Sequence, residues 1–323
     1  MVTKQKPNTF VHPRYWPTWI GLAMLRLVTL LPYRIQIRLG QALGACLYYI
    51  MKKRRHIAEV NIGLCFPHLD KTAKQHLVKS TIISVNISLF ETALSWWGSP
   101  RTLSPLSHID GIENLQSALE KGKGVILLSA HFTCLEIGGR LLSFQQPFAV
   151  MYKRHRNALF EHIMTRAREN HYQHAIQRHD VRGMIRALKQ NLVCWYAPDQ
   201  DFGRKQSIFV PFLGVDAATI TAPARIAKIT GAAVVPFFPK RRNDGKGYQL
   251  TISPALSNFP TGDENRDAAY INQIIGEQVL LAPDQYLWLH RRFKTRPEGH
   301  ATLYGFADKR PRQQHLKQHQ KKP

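Results

Sequence analysis

The chain has 323 residues, of which 44% are hydrophobic and 20% charged, a composition that fits a folded protein and excludes wholesale disorder. Its 45 Lys and Arg residues against 21 Asp and Glu give a net charge of +24, which attracts polyanions such as nucleic acid, anionic lipid surfaces or acidic proteins. The four cysteines, Cys46, Cys65, Cys134 and Cys194, form no C-x-x-C pair. This spacing fits a reducing compartment and disfavours a disulfide framework or a structural zinc site.

Two apolar stretches near the N-terminus predict helices that associate with a membrane. Residues 16–31 are apolar apart from Arg26 and begin in an aromatic cluster, and residues 39–51 run directly into the basic cluster 52–55. Apolar helices with aromatic residues at one end and Lys or Arg at the other are typical of an anchor on the cytoplasmic leaflet. A pair of core helices in a soluble domain is the alternative interpretation. The pattern leaves open whether such a helix spans the bilayer or lies along it.

The rest of the chain divides into one folded domain and two terminal segments. We predict that residues 1–9 are disordered and that residues 10–53 form the membrane-associating helical region. Residues 54–300 are assigned to an α/β domain. Residues 301–323 are predicted to form a basic, disordered tail, because they are mostly polar and offer little apolar surface to bury.

Hydrophobic patterning predicts helices first and then an alternation of strands and helices. Helices are expected at residues 33–52, 54–64 and 71–97, the last with Asp70 as its N-cap. Apolar strands are expected at 124–130, 148–152, 192–197, 232–238 and 248–252, with helices at 133–144, 157–170, 181–190, 221–230 and 265–281. This alternation predicts an α/β fold with a largely parallel sheet flanked by helices. In such sheets functional groups collect at the carboxyl ends of the strands.

A histidine follows the apolar strand 124–130 directly: His131, with Glu136 five residues later. The His-x4-acid pattern is weak by itself, because about one chance match is expected in a chain this rich in histidine. A second match is in fact present, at His108 and Glu113. His131 differs from His108 in lying between an apolar strand and an apolar helix, where a side chain would face a cleft.

The functional interpretation of the His131 match is a general base with a carboxylate that orients it. A polar residue at a strand end, followed by an ordinary surface glutamate, is the alternative. Residues five apart in a helix point about 140° away from each other, so the two side chains meet only if His131 lies in the turn before the helix. Glu136 would then fix the tautomer and leave the other ring nitrogen as the base. Because neither Ser129 nor Cys134 lies in a G-x-S-x-G motif, direct transfer is favoured over a covalent intermediate.

Seven motifs along the chain resemble those of one known enzyme family. They are HPRYWPTWIG (12–21), NIGLCFP (61–67), SAHFTCLEIG (129–138), WYAPDQDFG (195–203), IFVPFLG (208–214), VVPFFPKRR (234–242) and YLWLHRRFKTRPEG (286–299). Together they resemble the late acyltransferases of lipid A biosynthesis in Gram-negative bacteria, the lauroyl and myristoyl transferases. The resemblance covers about residues 10–299, and its WLHRRFKTRP string is far more specific than the histidine pair.

This resemblance implies a fold like that of the glycerol-phosphate acyltransferases, with an N-terminal hydrophobic helix on the cytoplasmic face of the inner membrane. It implies transfer of a lauroyl or myristoyl chain from acyl carrier protein to a hydroxyl of a primary acyl chain on a Kdo-bearing lipid A precursor. His131 would deprotonate that hydroxyl, with Glu136 as its orienting partner. No cofactor, metal or nucleic-acid partner is expected, since the acyl group arrives on the phosphopantetheine arm of acyl carrier protein.

The candidate substrate-binding residues are basic side chains and two aspartates at a strand end. The basic string 290–296 suits the phosphates and sugar carboxylates of the precursor, because arginine binds such groups bidentately. A solvated basic face is the alternative. The aspartates follow the strand 192–197 and could orient a cation, help to position His131 or form a turn. The residues assigned to substrate binding are Lys153, Arg154, Asp199, Asp201, Arg291, Arg292, Lys294 and Arg296.

Two other functions remain open at this level. A related acyltransferase could act on a glycerophospholipid or another glycolipid acceptor. A basic nucleic-acid-binding protein would explain the charge, but not the apolar N-terminal stretches or the surroundings of His131. For an acyltransferase, the group that stabilises the oxyanion could be a backbone N–H or an arginine.

Overall fold

A computed structural model of the chain describes residues 10–305; the disorder predicted for residues 1–9 and 306–323 lies outside the described residues. The helices are α1 (Trp16–Val28), α2 (Tyr33–Ile50), α3 (Lys52–Cys65), α4 (Lys71–Trp97), α5 (Pro100–Leu103), α6 (Ile112–Leu119), α7 (Leu135–Leu142), α8 (Ala158–His171), α9 (Val181–Lys189), α10 (Ala222–Thr230) and α11 (Glu264–Leu281). The strands are β1 (Ser107–Asp110), β2 (Val125–Leu128), β3 (Ala149–Tyr152), β4 (His174–Gln177), β5 (Val193–Tyr196), β6 (Ser207–Phe212), β7 (Val215–Ile220), β8 (Ala233–Arg241) and β9 (Tyr248–Ile252).

Seven strands form one sheet in the order β1-β9-β8-β2-β5-β3-β4. Strands β8, β2, β5, β3 and β4 are parallel neighbours, β9 pairs antiparallel with β8, and β6 and β7 form a separate hairpin. The predicted α/β class with a largely parallel sheet is therefore confirmed. The carboxyl ends of β2, β3, β4, β5 and β8 meet at one edge of the sheet, which we call the carboxyl edge.

The elements that the sequence predicts correctly are long or strongly apolar. Helix α4 has the predicted bounds, and the Asp70 carboxylate caps it by accepting the Ala73 N–H at 2.7 Å. Strand β2 is completely buried, so its sequence is a continuous apolar run. Strands β1 and β4 were not predicted, because each has only four residues and is partly exposed, which leaves no apolar run to detect.

Helix α2, which belongs to the predicted membrane-associating region, packs closely against α4. The contact depends on glycine, because a Cβ atom on Gly44 would lie 2.6 Å from the Cα of Ile83. A Cβ on Gly40 would lie 2.7 Å from the Cα of Ile87. The two helix backbones approach so closely that α2 is joined to the α/β domain by direct packing.

Helix α1 has a row of exposed, large apolar side chains. Trp16, Ile20, Met24 and Leu27 are between 58% and 63% exposed, and their spacing places them on one helical face. In the part of the chain that the structure describes, α4 is the one helix long and apolar enough to cross a membrane, yet more than half of its most apolar stretch is buried inside the protein. The apolar face on α1 is compatible with the predicted anchor, which stays a prediction, and α4 has the surroundings of a core helix.

The first residues assigned to the C-terminal tail are folded onto the domain. Tyr304 is completely buried, and its hydroxyl donates to Asn61 Oδ1 at 2.7 Å and accepts the Phe293 N–H at 2.9 Å. The tail was predicted to begin at residue 301, so that boundary is too early. A single tyrosine in a polar sequence gave no periodic signal from which this docking could be predicted.

We expect Gly44→Ala to destabilise the protein by about 1–3 kcal/mol, because α2 must move away from α4 to admit the new methyl group. Gly63→Ala in α3 is the matched control, since a Cβ there meets nothing within 4 Å. Alanine is the better helix former, so the control should be neutral or stabilising. Thermal unfolding of both variants measures the difference, and an unchanged melting temperature for Gly44→Ala would contradict the close contact.

Candidate active site

The site is built where two neighbouring parallel strands end. Strands β2 and β5 pair in register, with Leu128 opposite Tyr196. His131 lies three residues beyond Leu128, and Asp199 lies three residues beyond Tyr196. Equal extensions from paired strand ends bring the two residues together at the carboxyl edge, although 68 positions separate them in the chain.

Asp199 binds His131 through both carboxylate oxygens. Its Oδ1 lies 2.6 Å from the ring Nδ1 of His131, and its Oδ2 accepts the backbone N–H of His131 at 3.0 Å. The hydroxyl of Tyr286 donates to the same Oδ2 at 3.0 Å. Because a carboxylate only accepts, Nδ1 carries the ring proton, and Nε2 of the neutral imidazole is left as a basic nitrogen.

His131 and Asp199 shift each other's pKa in opposite directions. Burial alone lowers the pKa of His131, but the charge of Asp199 and its hydrogen bond outweigh this effect and raise the pKa above its usual value of 6.5. Burial would raise the pKa of Asp199, yet His131 holds that pKa at about 2. Asp199 is 2% exposed whereas the His131 side chain is 30% exposed. The carboxylate is therefore a fixed negative charge behind a histidine that is partly exposed to solvent.

The predicted pairing of Glu136 with His131 is wrong. Glu136 is the second residue of α7, and its carboxylate binds other helices: it accepts from Arg168 Nη2 at 2.6 Å, Arg168 Nε at 3.0 Å and Trp96 Nε1 at 3.1 Å. Arg168 is in α8 and Trp96 in α4. The helical offset turns Glu136 away from the turn that holds His131, and Asp199 orients the histidine instead.

The turn that carries His131 is fixed by the segment after α11. The backbone N–H of Leu287 donates to the His131 carbonyl at 3.0 Å, and the Thr133 N–H donates to the Gln285 carbonyl at 2.7 Å. The Gln285 side chain binds the backbone N–H and carbonyl of Arg241 in β8, at 2.8 and 3.0 Å. The turn therefore has hydrogen-bonded support from both β5 and β8.

A buried ion pair lies behind this support. The Arg241 guanidinium binds both carboxylate oxygens of Glu91, at 2.6 and 2.7 Å, and Tyr248 donates to the same carboxylate at 2.7 Å. Arg241 also donates to the hydroxyl of Ser84, which is bonded to the hydroxyl of Thr133 at 2.8 Å. Since Arg241 is paired inside the protein, the basic residues of 239–242 that remain available to a ligand are Lys240 and Arg242.

Lys240 and Arg242 line a polar cavity of about 640 Å³ at the end of β8. Gln285 forms part of its wall, so the cavity adjoins the turn of His131. The Arg242 side chain is held by Asp244, and both are partly exposed.

Asp201 organises the basic C-terminal string. Its carboxylate accepts the Thr295 N–H at 2.6 Å and the Thr295 hydroxyl at 2.8 Å. Its backbone N–H donates to Nε2 of His290 at 3.3 Å. The sequence left a turn role open for this aspartate, and it did not single out His290, which the hydrogen bond from Asp201 brings to the site.

The residues assigned to substrate binding differ in accessibility. Arg292 is 1% exposed, and its guanidinium donates to the Ala218 carbonyl at 2.7 Å and to Thr219 Oγ1 at 3.1 Å. Its assignment as a substrate contact is therefore wrong, because the group is enclosed by protein. Lys294 is exposed, and Arg291 and Arg296 are half-buried.

Lys153 and Arg154 are exposed residues that follow β3. Because β3 is parallel to β5, they leave the sheet at the carboxyl edge, the same edge as His131. Their position is compatible with the predicted substrate contact, which stays a prediction.

Comparison with known proteins identifies relatives over nearly the whole chain. A sequence model described as bacterial lipid A biosynthesis acyltransferase matches residues 3–295. A lipid A biosynthesis lauroyltransferase of Escherichia coli K12 is 39% identical over 298 residues, covering 92% of this chain and 97% of the relative. A palmitoleoyltransferase of the same organism is 40% identical over 296 residues, covering 91% and 96%. A myristoyltransferase, also from Escherichia coli K12, is 28% identical over 308 residues, covering 94% and 95%.

We expect Asp199→Asn to lower the pKa of His131, because the variant loses the negative charge that stabilises the imidazolium. Glu136→Gln is the control and should leave this pKa unchanged, since the Glu136 carboxylate is bound to Arg168 and Trp96. NMR titration of the His131 ring protons measures both. A pKa that falls in Glu136→Gln and not in Asp199→Asn would contradict the observed pairing.

Proposed function

The chain belongs to the bacterial lipid A biosynthesis acyltransferases, and from that premise we propose that it moves a lauroyl or myristoyl chain from acyl carrier protein to a hydroxyl of a primary acyl chain on a Kdo-bearing lipid A precursor. As a member of this family it is an acyltransferase, so the nucleic-acid-binding interpretation is set aside. The observation that carries the proposed mechanism is the 2.6 Å contact between His131 Nδ1 and Asp199.

In the proposed reaction His131 is the general base. Its Nε2 takes the proton of the acceptor hydroxyl while the hydroxyl oxygen attacks the thioester carbonyl, forming a C–O bond and a tetrahedral oxyanion. The oxyanion collapses, the C–S bond breaks, and the imidazolium returns its proton to the departing thiolate. The products are an ester on the lipid and the free thiol of the carrier, and no atom of the acyl group becomes bound to the protein.

Asp199 supports this reaction in two ways. Its hydrogen bond keeps the proton of the neutral ring on Nδ1, which presents the lone pair of Nε2 to the hydroxyl. Its charge stabilises the imidazolium that forms during attack. Buried at 2% exposure, the carboxylate is little screened by water and is held by Tyr286 as well.

The distribution of charge supports anionic substrates. The net charge of +24 favours association with an acidic carrier protein and with the phosphates and carboxylates of the acceptor. Exposed Lys153 and Arg154 lie at the carboxyl edge, and exposed Lys294 directly precedes Thr295, which is bonded to Asp201. We propose these side chains, with Arg291 and Arg296, as the first contacts for those groups.

The apolar face of α1 supports attachment to a membrane, and we propose the cytoplasmic face of the inner membrane as the place of attachment. A lipid acceptor must be reached in a membrane, and Trp16, Ile20, Met24 and Leu27 offer apolar surface that can enter the interface. Arg26, on the same helix, is exposed, and its positive charge favours binding to anionic headgroups.

We expect His131→Ala to lower acyl transfer by at least ~100-fold, the scale of a lost general base. The assay uses acyl carrier protein loaded with chains of ten to fourteen carbons and a tetra-acylated, Kdo-bearing precursor, and it also reports the preferred chain length. His108→Ala is the matched control: this histidine has the same spacing to a glutamate, but its side chain is 59% exposed on β1 and pairs with Asp110. The control should retain wild-type activity.

Transfer by His131→Ala at the wild-type rate would refute the proposed mechanism. A wild-type protein that is inactive on the Kdo-bearing precursor and active on a glycerophospholipid would refute the proposed acceptor and favour the related acyltransferase.

We expect Ile20→Asp to weaken binding to anionic lipid vesicles by about 10-fold or more, because an apolar side chain worth roughly 1.5–3 kcal/mol of burial is replaced by a charge. Ile229→Asp in α10 is the control, since Ile229 is 60% exposed and Ile20 is 61% exposed. Vesicle flotation measures both variants. Equal binding of Ile20→Asp and wild type would contradict a role of the α1 face.

A further inference from the structure

His290 is the second histidine at the site, and its ring is held in one tautomer. The Asp201 N–H donates to Nε2 of His290 at 3.3 Å. Since a backbone N–H can only donate, Nε2 must be unprotonated, and the neutral ring carries its proton on Nδ1. Burial lowers the pKa of His290 to about 4, so the ring is neutral at pH 7.

Nδ1 of His290 is a hydrogen-bond donor that residues 10–305 leave unused. It has no partner among residues 10–305, and it is not sealed in the interior. The backbone around it is fixed, because the His290 N–H donates to the Leu287 carbonyl at 3.1 Å and the His290 carbonyl accepts from Asn61 Nδ2 at 2.8 Å. A rigid N–H donor is therefore presented to solvent at this position.

The two histidines are held by the same short segment. Asp199 binds the ring of His131, and the backbone of Asp201, two residues later, binds the ring of His290. Two residues span at most about 7 Å. The segment that carries His290 also touches the His131 turn, through the Leu287 N–H and the His131 carbonyl. The charges of His131 and Asp199 both act on the pKa of His290, as expected for neighbours in one cleft.

We propose that His290 is a catalytic residue that donates a hydrogen bond from Nδ1 to the thioester carbonyl oxygen, stabilising the oxyanion formed when the acceptor hydroxyl attacks. This inference rests on the proposed acyl transfer and assigns its oxyanion stabiliser. In an attack geometry the base, hydroxyl, carbonyl carbon and oxyanion donor are separated by contacts of about 3 Å each. A donor held by the same segment that holds the base suits this arrangement.

A neutral donor suits this position better than a charged one. His131 becomes an imidazolium during attack, and a second imidazolium beside it would repel it. The neutral N–H of His290 still provides a dipole aimed at the developing charge, without that repulsion. Burial keeps the ring of His290 neutral, whereas Asp199 favours the charged form of His131. The two rings therefore have opposite preferred charge states.

Two substitutions separate the donor at Nδ1 from the structural acceptor at Nε2. In His290→Gln the amide oxygen can reach the Asp201 N–H, but the donor at Nδ1 is lost. In His290→Asn the amide nitrogen occupies the Nδ1 position, but the contact to Asp201 is lost. Oxyanion stabilisation predicts that kcat falls by about 10²–10³ in His290→Gln with little change in KM. It also predicts that His290→Asn retains at least ~10-fold more kcat than His290→Gln, although its melting temperature is the lower of the two.

The same assay includes wild type and His131→Ala, which keeps the two proposals distinguishable. A His290→Gln variant with wild-type kcat, or one more active than His290→Asn, would overturn the role of His290 while His131→Ala could still support the base. If neither variant folds, nitrogen-15 NMR of the His290 ring in the wild-type protein tests the proposal. The proposal predicts the proton on Nδ1 at pH 7, and a proton on Nε2 overturns it.

Discussion

The parallel register between β2 and β5 is the constraint on which the site depends. Leu128 lies opposite Tyr196, and each functional residue is the third one beyond the end of its strand. This geometry brings a buried carboxylate to a partly exposed imidazole, with only two residues between each strand end and its functional residue. A shift of the register by one residue would move the two side chains apart. It would also turn each side chain of the shifted strand, which is buried on both sides, to the opposite face of the sheet. Burial of the apolar strands therefore also fixes the chemistry at their ends.

Buried ion pairs hold the surrounding elements in place. The Glu136–Arg168 pair joins α7 to α8 and, through Trp96, to α4, and the Arg241–Glu91 pair joins β8 to α4. Removing one partner of the buried Arg241–Glu91 pair costs about 3–5 kcal/mol, because the remaining charge stays buried and unpaired. Their contribution to function is rigidity: the His131 turn lies between α4, α7 and β8, and it can move little while these contacts persist.

The sequence predicted much of the fold and one half of the working pair. Continuous apolar strands, the Asp70 cap and the histidine directly after β2 carry local signals, so each could be found by pattern alone. For the partner of His131, the sequence left Asp199 open as a residue that could help to position the histidine, and the structure confirms that role. The local pattern favoured Glu136 instead, because Asp199 reaches the ring only through strand pairing. The strand end at Asp199 was visible; the adjacency of β2 and β5 was not. The assignment of Arg292 to substrate binding was wrong for a related reason, since a basic string gives no indication of which guanidinium points inward.

The central claim is that the His131–Asp199 pair supplies the base, and the pH dependence of kcat/KM tests it most directly. A base acts only when neutral, and the pKa of His131 is raised above 6.5, so the activity of the wild type should fall as the pH decreases through that raised value. In Asp199→Asn the pKa is lower, so the acid limb should move to lower pH and the plateau should fall by about 10²–10⁴. Asp244→Asn, which removes a partly exposed carboxylate elsewhere, controls for net charge and should leave the limb in place. An acid limb that stays at the wild-type pH in Asp199→Asn would contradict the account.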